Sequence, residues 1–345
     1  LMTLDPRKQR VLQALVALYA MEGEPVGSGL LSNYLDLSVS SATLRNEMAA
    51  LTKLGLLEQP HTSAGRVPST KGYRYYLDNL LDTDEQLPAA ERQAIDDIFD
   101  DLDYEPEHLA QGAARALSRH TGFTAAVTTP RADDLCIAHF EVVQVGRYSA
   151  AVLGVTSAGG VCTRVARVAE GLTRQQAANV AAVLNQNLTF VSPVDLTPRL
   201  LAGMGAALGA DGMPLSPVLL AAAALLREAV LPKAYLEGQQ TLLEWPELAP
   251  SVGKLLQTFD DGERARKLLS PAKRRTAVKL GEDLETPMPG LCIMSSRYLA
   301  GGGLTGNLAI IGTNRMPFEQ LMPRLEYFAR KLGQCMSGRT QEDDV

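Results

Sequence analysis

The sequence contains few cysteines, and their positions give no sign of a cysteine-based metal site or a disulfide framework. The four cysteines are Cys136, Cys162, Cys292 and Cys335, which are widely separated and include no C-x-x-C pair. Structural zinc sites and small disulfide-rich domains both depend on closely spaced cysteines. We therefore expect free thiols in a reducing cytoplasm, no bound metal and no disulfide.

The sequence also lacks an apolar run that is long enough to cross a bilayer. The most apolar stretch, 217–226, is about half the length that a membrane-spanning helix needs. Basic residues before an apolar segment near the start resemble the opening of a signal peptide. However, Val11, Leu15 and Tyr19 fall on one helical face, and Glu-Gly-Glu follows instead of a cleavage site. The pattern predicts an amphipathic first helix and a soluble, cytoplasmic protein without a membrane partner.

Motifs that would indicate an enzyme are missing as well. The Gly301-Gly302-Gly303 run has no following Lys-Ser or Lys-Thr, so it is typical of a hairpin turn and not of a phosphate-binding loop. Cys292 has no activating base nearby in the sequence, and the histidines show neither triad nor metal-ligand spacing. We therefore expect no catalytic residues, no cofactor and no metal; an enzyme with an accessory DNA-binding domain is the weakest alternative.

Charge is distributed unevenly along the chain. The formal net charge is −6, yet residues 1–80 contain eight Lys or Arg and seven Asp or Glu, which leaves about −7 for the remainder. Between positions 40 and 76 five basic residues face two acidic ones. A small basic surface on an acidic body suits a protein that contacts phosphates at one end only.

The first 80 residues predict three helices, a hairpin and a fourth helix. Asp5-Pro6 is a strong helix start, and Gly23 is a strong stop. Ser28 and Ser40 are candidate caps of the second and third helices, with a turn over 36–39 between them, and Ser69 is a candidate cap of the fourth. A Gly-bearing turn at 61–65 joins two short extended segments. This order is that of a winged helix-turn-helix.

The third helix carries the predicted chemistry. Leu44, Met48 and Leu51 repeat at helical spacing, which predicts a buried face and turns the opposite edge outward. Asn can pair bidentately with adenine, Arg with guanine or phosphate, and small residues let a helix enter the major groove. The candidate DNA-binding residues are Ser40, Ser41, Ala42, Thr43, Arg45, Asn46 and Lys53 on this helix, His61, Thr62 and Arg66 in the wing, and Lys71 after it. Arg74 is a further candidate for phosphate contact. By spacing alone, a solvated helix or a protein-interaction module remains an equal alternative.

The rest of the chain alternates between strand and helix patterns. Strand-like runs at 124–129, 135–145 and 149–155 precede a long Ala/Leu-rich helical region from 173 to about 269. Strands return at 276–280, 291–295 and 304–311, and a helix is predicted from 317 to about 336. This order predicts an α/β domain interrupted by a mostly helical insertion.

Several contiguous motifs resemble the HrcA family of heat-inducible transcription repressors. They are Glu-Pro-Val-Gly-Ser at 24–28, Leu-Ser-Val-Ser-Ser-Ala-Thr-Leu-Arg-Asn-Glu-Met at 37–48, Leu-Gly-Leu-Leu-Glu-Gln-Pro-His-Thr-Ser-Ala-Gly-Arg-Val-Pro at 54–68 and Lys-Gly-Tyr-Arg-Tyr-Tyr at 71–76. Tyr-Leu-Glu-Gly at 235–238 and the final strands and helix match more loosely. The resemblance covers most of the chain and is strongest before residue 80.

The resemblance implies an α+β multidomain fold and a mode of regulation. The expected domains are a winged helix-turn-helix at 1–82, a discontinuous GAF-like domain at 83–160 and 240–340, and an inserted dimerisation domain at 161–239. It further implies a homodimer that binds an inverted-repeat operator in double-stranded DNA upstream of chaperone genes. A GroEL-type chaperonin would help to maintain the active fold. The alternative is a one-component regulator that senses a small ligand through the GAF-like domain.

Overall fold

The computed structural model describes residues 4–35, 40–62, 64–81, 87–131, 135–157, 159–230, 232–271, 274–301 and 303–337. The chain divides into two compact units. Unit 1 comprises Leu1–Thr129, Ala234–Ala300 and Gly306–Val345, and unit 2 comprises Pro130–Lys233 and Gly301–Thr305. The predicted turn over 36–39 and residues 82–86, at the predicted boundary between the first two domains, lie outside the described residues.

The helices and strands follow one another in chain order. The N-terminal elements are α1 (Pro6–Glu22), α2 (Ser28–Leu35), α3 (Ser41–Lys53), β1 (Leu57–Glu58), β2 (Val67–Pro68) and α4 (Thr70–Asn79). Next come α5 (Ala89–Asp100), α6 (Pro106–Thr121) and β3 (Thr124–Thr128). Unit 2 contains β4 (Ile137–Gly146), β5 (Ser149–Thr156), β6 (Val161–Arg167), α7 (Arg174–Leu188), α8 (Pro198–Ala207) and α9 (Ser216–Val230). Unit 1 resumes with β7 (Ala234–Glu237), α10 (Ala249–Phe259), α11 (Gly262–Leu269), β8 (Thr276–Leu280), β9 (Leu291–Leu299), β10 (Thr305–Thr313) and α12 (Phe318–Ser337).

The N-terminal domain is the predicted winged helix-turn-helix. The Asp5 side chain caps α1 by accepting a hydrogen bond from the Lys8 backbone N–H, and α1 ends at Gly23, where φ is +72°. A positive φ strains residues that carry a Cβ, so glycine stops the helix at low cost. Ser69 caps α4 through the Gly72 N–H. The predicted ends of α1 and the predicted cap of α4 are therefore confirmed. Ser28, the predicted cap of α2, is instead the first residue of that helix, and its hydroxyl bonds to the hydroxyl of Ser41.

The wing is a small antiparallel sheet. β1 pairs with β2, with Leu57 opposite Pro68 and Glu58 opposite Val67. Val26, between α1 and α2, adds a bridge, because its N–H and C=O each bond to the backbone of Arg66 at 2.9 Å. The wing is therefore held by backbone hydrogen bonds to the segment between the first two helices as well as by the pairing of β1 with β2.

The second part of unit 1 is the GAF-like domain, a five-stranded sheet with helices on both faces. Its strand order is β7-β3-β10-β9-β8. Alternate residues of these strands point to opposite faces. Ala125, Val127 and Ile310 pack into the core that contains α6 and α12, whereas Ala126 and Ile311 pack with the core that contains α10 and α11.

Unit 2 consists of a three-stranded sheet with helices on one face. β5 lies between β4 and β6, and both pairings are antiparallel. The inward side chains, such as Val142 and Val152, pack with Val180 and Leu184 of α7 and Leu226 of α9. The outward face carries the exposed Val143, Val161 and Val165 and is considered below.

Several details differ from the sequence prediction. β6 is a strand in a segment for which no strand was predicted. β7 lies inside the region predicted as helical: it pairs with β3, a partner more than 100 residues away that no local pattern reveals. The inserted unit also begins at 130, whereas the sequence indicated 161. Strands β4 and β5 belong to it because, with β6, they form a sheet of their own. Among the described residues, no helix is long and apolar enough to span a membrane.

Candidate nucleic-acid interface

Helix α3 is held in place at its start and along its inner face. Ser40 caps the helix, since its Oγ accepts a hydrogen bond from the Thr43 N–H at 3.2 Å. The hydroxyls of Ser28 and Ser41 share a hydrogen bond at 2.9 Å, which joins the first residue of α2 to the first residue of α3. Leu44, Met48 and Leu51 are buried, as predicted. A helix fixed in this way presents one defined edge to its surroundings.

The outer edge of α3 is polar and open. Ala42, Arg45, Asn46 and Lys53 are exposed, and Ser40 is exposed at the cap. Within the described part of the chain, neither Arg45 nor Asn46 engages its side chain in a hydrogen bond or an ion pair. Thr43 is partly exposed, and its Oγ1 lies 3.1 Å from Ser40 Oγ. The donors of Arg45 and the amide of Asn46 are therefore available to an external partner.

The one acidic residue of α3 is neutralised by the first helix. Lys8 Nζ lies 3.1 Å from Glu47 Oε2 and 2.5 Å from Asp5 Oδ2. The hydrogen bond that the Lys8 ammonium donates to Asp5, followed by the one that it donates to Glu47, raises the pKa of the ammonium above its ordinary value. Glu47 thus points towards α1, which reduces the repulsion that a phosphate would meet at the recognition edge.

The wing tip is shaped by one side chain. Gln59 Nε2 donates to the carbonyl oxygens of Thr62 at 2.9 Å and Ala64 at 3.0 Å. His61 and Thr62 are exposed at this tip. The wing tip therefore presents the hydroxyl of Thr62 and the imidazole of His61.

Arg66 and Lys71, two of the predicted DNA contacts, also form hydrogen bonds within the protein. Arg66 Nε donates to Thr52 Oγ1 at 3.1 Å, which attaches the wing to the last turns of α3. Lys71 Nζ donates to the Leu54 carbonyl at 2.9 Å, just after the end of α3, where a cation is favoured by the helix dipole. Both residues stabilise the C-terminal end of α3. Each side chain also has N–H groups that are not used in these two bonds.

Arg74 is used differently from the sequence prediction. Its Nε donates to Asp283 Oδ2 at 2.7 Å, and a second guanidinium nitrogen contacts the other carboxylate oxygen. Asp283 follows β8 in the GAF-like domain. The guanidinium therefore binds this domain in a bidentate pair, and the phosphate contact predicted for Arg74 does not match this placement.

Sequence reasoning missed the residues that support α3. Lys8 and Ser28 contact the recognition helix from earlier segments of the chain, and no local spacing signals these contacts. Gln59 bonds to residues three and five positions ahead of it, but its residue type alone does not indicate that role. The partners Lys8 and Glu47 are far apart in sequence, and only the packing of α1 against α3 brings them together. The exposed edge of α3 was predictable, because the helical spacing of Leu44, Met48 and Leu51 identifies the buried face and the other residues must lie on the opposite side.

A helix-turn-helix whose second helix exposes a polar edge, followed by a hairpin wing, defines a winged-helix DNA-binding protein. Comparison with known proteins identifies the family within this class. Residues 3–79 match the family model of the winged helix-turn-helix transcription repressor HrcA DNA-binding domain, and residues 107–322 match the model of the HrcA protein C-terminal domain. The chain belongs to the HrcA family of heat-inducible transcription repressors. It is a transcription repressor and not an enzyme.

Full-length relatives support this membership. The chain is 30% identical over 343 residues to the heat-inducible transcription repressor HrcA of Brevibacillus brevis, with 98% of this chain and 100% of that protein covered. It is 31% identical to the protein of the same name from Desulforudis audaxviator, with 97% and 98% covered. A crystal structure described as a hypothetical protein shares the fold at a TM-score of 0.61 and 23% identity, covering 98% of this chain and 100% of that chain.

Proposed function

We propose that this protein acts in the cytoplasm as a homodimer that binds an inverted-repeat operator and represses chaperone genes. One winged helix per chain reads a short stretch of duplex, so a two-fold dimer on a two-fold operator supplies the second half-site. The observation that carries the proposal is the open edge of α3, where Arg45 and Asn46 are exposed and make no side-chain contact within the described residues.

Each predicted contact residue receives a role in this proposal. Asn46 pairs with adenine, Arg45 with guanine or a phosphate, and Thr43 with either base. Ala42 allows close approach of α3 to the groove. Ser40 and Ser41 place free backbone N–H groups beside a phosphate. The remaining contacts are to the phosphate backbone or the minor groove, from Lys53, His61, Thr62, Arg66 and Lys71.

The homodimer is supported by the outer face of the sheet in unit 2. Val143, Ala151 and Val165 lie side by side across β4, β5 and β6. Val143 is 45% exposed, Val161 67% and Val165 61%. Contiguous apolar side chains on a sheet face are unfavourable in water, and a self-complementary face of this kind suits a two-fold partner.

The regulatory part of the proposal rests on family membership. A GroEL-type chaperonin helps to maintain the DNA-binding form, and titration of the chaperonin by misfolded proteins releases repression. Purified chaperonin should then raise the fraction of protein that binds operator. An unchanged active fraction after chaperonin treatment would remove this part and leave DNA binding intact.

A gel-shift titration tests the central claim. The inverted-repeat duplex and a scrambled duplex of equal length are compared at the same salt concentration. Specific binding is expected to be tighter by at least about 10³-fold, the usual margin over non-specific binding. The affinity should also fall steeply with salt, since counterions are released from phosphates. Equal affinity for the two duplexes would contradict the proposal.

A further inference from the structure

The GAF-like domain contains a cavity that the DNA-binding surface does not use. It has a volume of about 580 Å³ and lies between α10, α11, β8 and the turn that follows β8. That volume is in the range of small-molecule sites in proteins. The walls come from four separate segments of this one domain.

The cavity is lined by more positive than negative side chains. Its cationic residues, among those the structure describes, are Lys254, Arg264, Lys267 and Lys279. The described carboxylates in the wall are Asp283 and Glu285. Asp283 is already bound by Arg74 of the winged helix. Its negative charge is therefore compensated from outside the cavity, which leaves an excess of positive charge inside.

The ammonium groups in the wall are held by neutral carbonyls. Lys279 Nζ donates to the carbonyl oxygens of Leu268 at 2.8 Å and Lys267 at 3.2 Å, where α11 ends. Lys254 Nζ donates to the Pro287 carbonyl at 3.2 Å. Within the described residues, neither ammonium forms an ion pair with a carboxylate. These lysines are oriented by the backbone carbonyls, and neither has a described carboxylate within ion-pair distance.

Burial of Lys279 destabilises the charged form of its side chain. Burial lowers the pKa of its ammonium group, and the nearby charge of Glu285 offsets this only in part. A partly buried cation without a direct partner gains more from an incoming anion than an exposed one, because the local dielectric constant is lower. An anion in the cavity would therefore interact strongly with Lys279.

The cavity also has an apolar portion. Leu268, Leu284 and Met288 contribute to its lining, and Met288 is buried. A ligand that carried only charge would leave these side chains unused. Thr258 and Gln257 add neutral hydrogen-bonding groups from α10. The combination favours a molecule that has a polyanionic end and an apolar or aromatic body.

We propose that this cavity binds a small phosphorylated molecule, with the phosphates against Lys254, Lys267 and Lys279 and an apolar or aromatic body against Leu268 and Met288. Lysines act as point-charge partners of phosphate. The site extends the function beyond operator binding. Ligand binding to the cavity can be measured without DNA. Absence of ligand binding is therefore distinguishable from absence of operator binding.

Isothermal titration calorimetry of the full chain with ADP tests the site. ADP supplies two phosphates and an aromatic body, adenosine supplies the body alone, and inorganic pyrophosphate supplies the charge alone. ADP should bind more tightly than either of the other two at an ionic strength of about 0.15 M, where exposed charges are screened. No heat of binding with ADP, or equal affinity for ADP and adenosine, would overturn the proposal.

The double variant Lys254→Ala/Lys267→Ala locates the binding. Loss of two charge-assisted hydrogen bonds should weaken ADP binding by at least about tenfold. The control Arg92→Ala/Arg167→Ala removes two exposed cations outside the cavity and should leave the affinity within about twofold. An equal loss in both variants would indicate general charge attraction and overturn the site.

A single variant, Lys267→Glu, guards against a folding defect in the double variant, since Lys267 is exposed on α11. It should weaken ADP binding while its thermal unfolding curve stays that of the parent. If these variants lowered operator affinity and left ADP binding unchanged, the basic wall would be a DNA-backbone contact, and the small-molecule proposal would be wrong.

Discussion

The Tyr76 hydroxyl on α4 donates a hydrogen bond to Glu319 Oε1 on α12 at 3.0 Å, linking the winged helix to the GAF-like domain. The Tyr76 ring also lies against Phe318, with ring centroids 6.3 Å apart. Burial, followed by the charge of Glu319, raises the pKa of the Tyr76 hydroxyl. The hydroxyl therefore stays protonated and acts as a donor. The two domains share a continuous apolar core around this bond.

Removal of the Tyr76 hydroxyl should weaken this connection. Tyr76→Phe keeps the ring packing and removes the donor, which leaves a partly buried carboxylate oxygen with one bond fewer. We expect a loss of about 1.5–3 kcal/mol in the free energy of unfolding, the usual range for a hydrogen bond to a charged group. Urea unfolding measures it.

The control for this prediction is Tyr148→Phe, which removes a hydroxyl from a side chain that is 50% exposed. Its unfolding midpoint should remain that of the parent. Equal midpoints for Tyr76→Phe and the parent would show that the bond to Glu319 contributes nothing to stability.

The open edge of α3 should determine operator affinity. Arg45→Ala and Asn46→Ala each remove one proposed base contact, so each should weaken operator binding by about 1–3 kcal/mol, or about 5- to 150-fold in Kd. Gel shift or fluorescence anisotropy measures the change. Arg92→Ala, an exposed arginine of α5, is the matched control and should bind as the parent does. Parent-like binding by both α3 variants would place the recognition surface elsewhere.

Gly65 should be required for the wing. A Cβ at this position would lie 2.4 Å from the carbonyl carbon and oxygen of Val26, and both are backbone atoms that have little room to move. Gly65→Ala should therefore separate the wing from Val26 and cost about 1–3 kcal/mol in stability, as overpacking does. Thermal unfolding measures the cost, and operator affinity should fall with it.

Gly27→Ala is the matched control for the wing, because nothing lies within 4 Å of a Cβ built there. This variant should unfold at the parent temperature or slightly above it. A larger loss of stability in Gly27→Ala than in Gly65→Ala would contradict the close approach to Val26.

The proposed dimer should depend on the outer sheet face of unit 2. Val165→Glu places a charge within the exposed apolar row, and burial of an unpaired charge in an interface is strongly unfavourable. Sedimentation velocity should show a dimer for the parent and a shift towards monomer for the variant. Ala178→Glu, an exposed position on α7, is the control and should remain dimeric. A parent-like dimer in Val165→Glu would move the interface to another surface.

Acid should weaken the contact of α5 with α12. Hydrogen bonds from Arg324 Nε at 2.5 Å and then from His120 at 3.1 Å lower the pKa of the Glu91 carboxyl. A lowered folded-state pKa means that this stabilisation is fully present above about pH 4.5, the ordinary value, and is lost as the pH falls through the lowered pKa.

Glu91→Gln should consequently lose stability at neutral pH and show a shallower decline below about pH 4.5. Urea midpoints measured across this range test the prediction, with the exposed Glu170→Gln as the control. Parallel pH profiles for Glu91→Gln and the parent would show that this carboxylate has no special role.

The sequence by itself determined the local features of the winged helix. Asp5, Ser40 and Ser69 cap helices through backbone groups three residues away, and Leu44, Met48 and Leu51 define a buried face through the period of the helix. These are short-range effects, so the residues that produce them lie within one or two turns of each other. The exposed edge of α3 follows from them directly.

Tertiary structure alone decided the remaining relationships. β7 became a strand because β3 offers an unpaired edge, although the surrounding sequence is typical of helix. The Arg74–Asp283 contact joins residues 209 positions apart, and the cavity assembles four segments around Lys279. Contacts of this kind depend on which surfaces meet when the cores close. Backbone pairing and charge pairing at such distances leave no periodic trace in the sequence, which is why no spacing of residues revealed them.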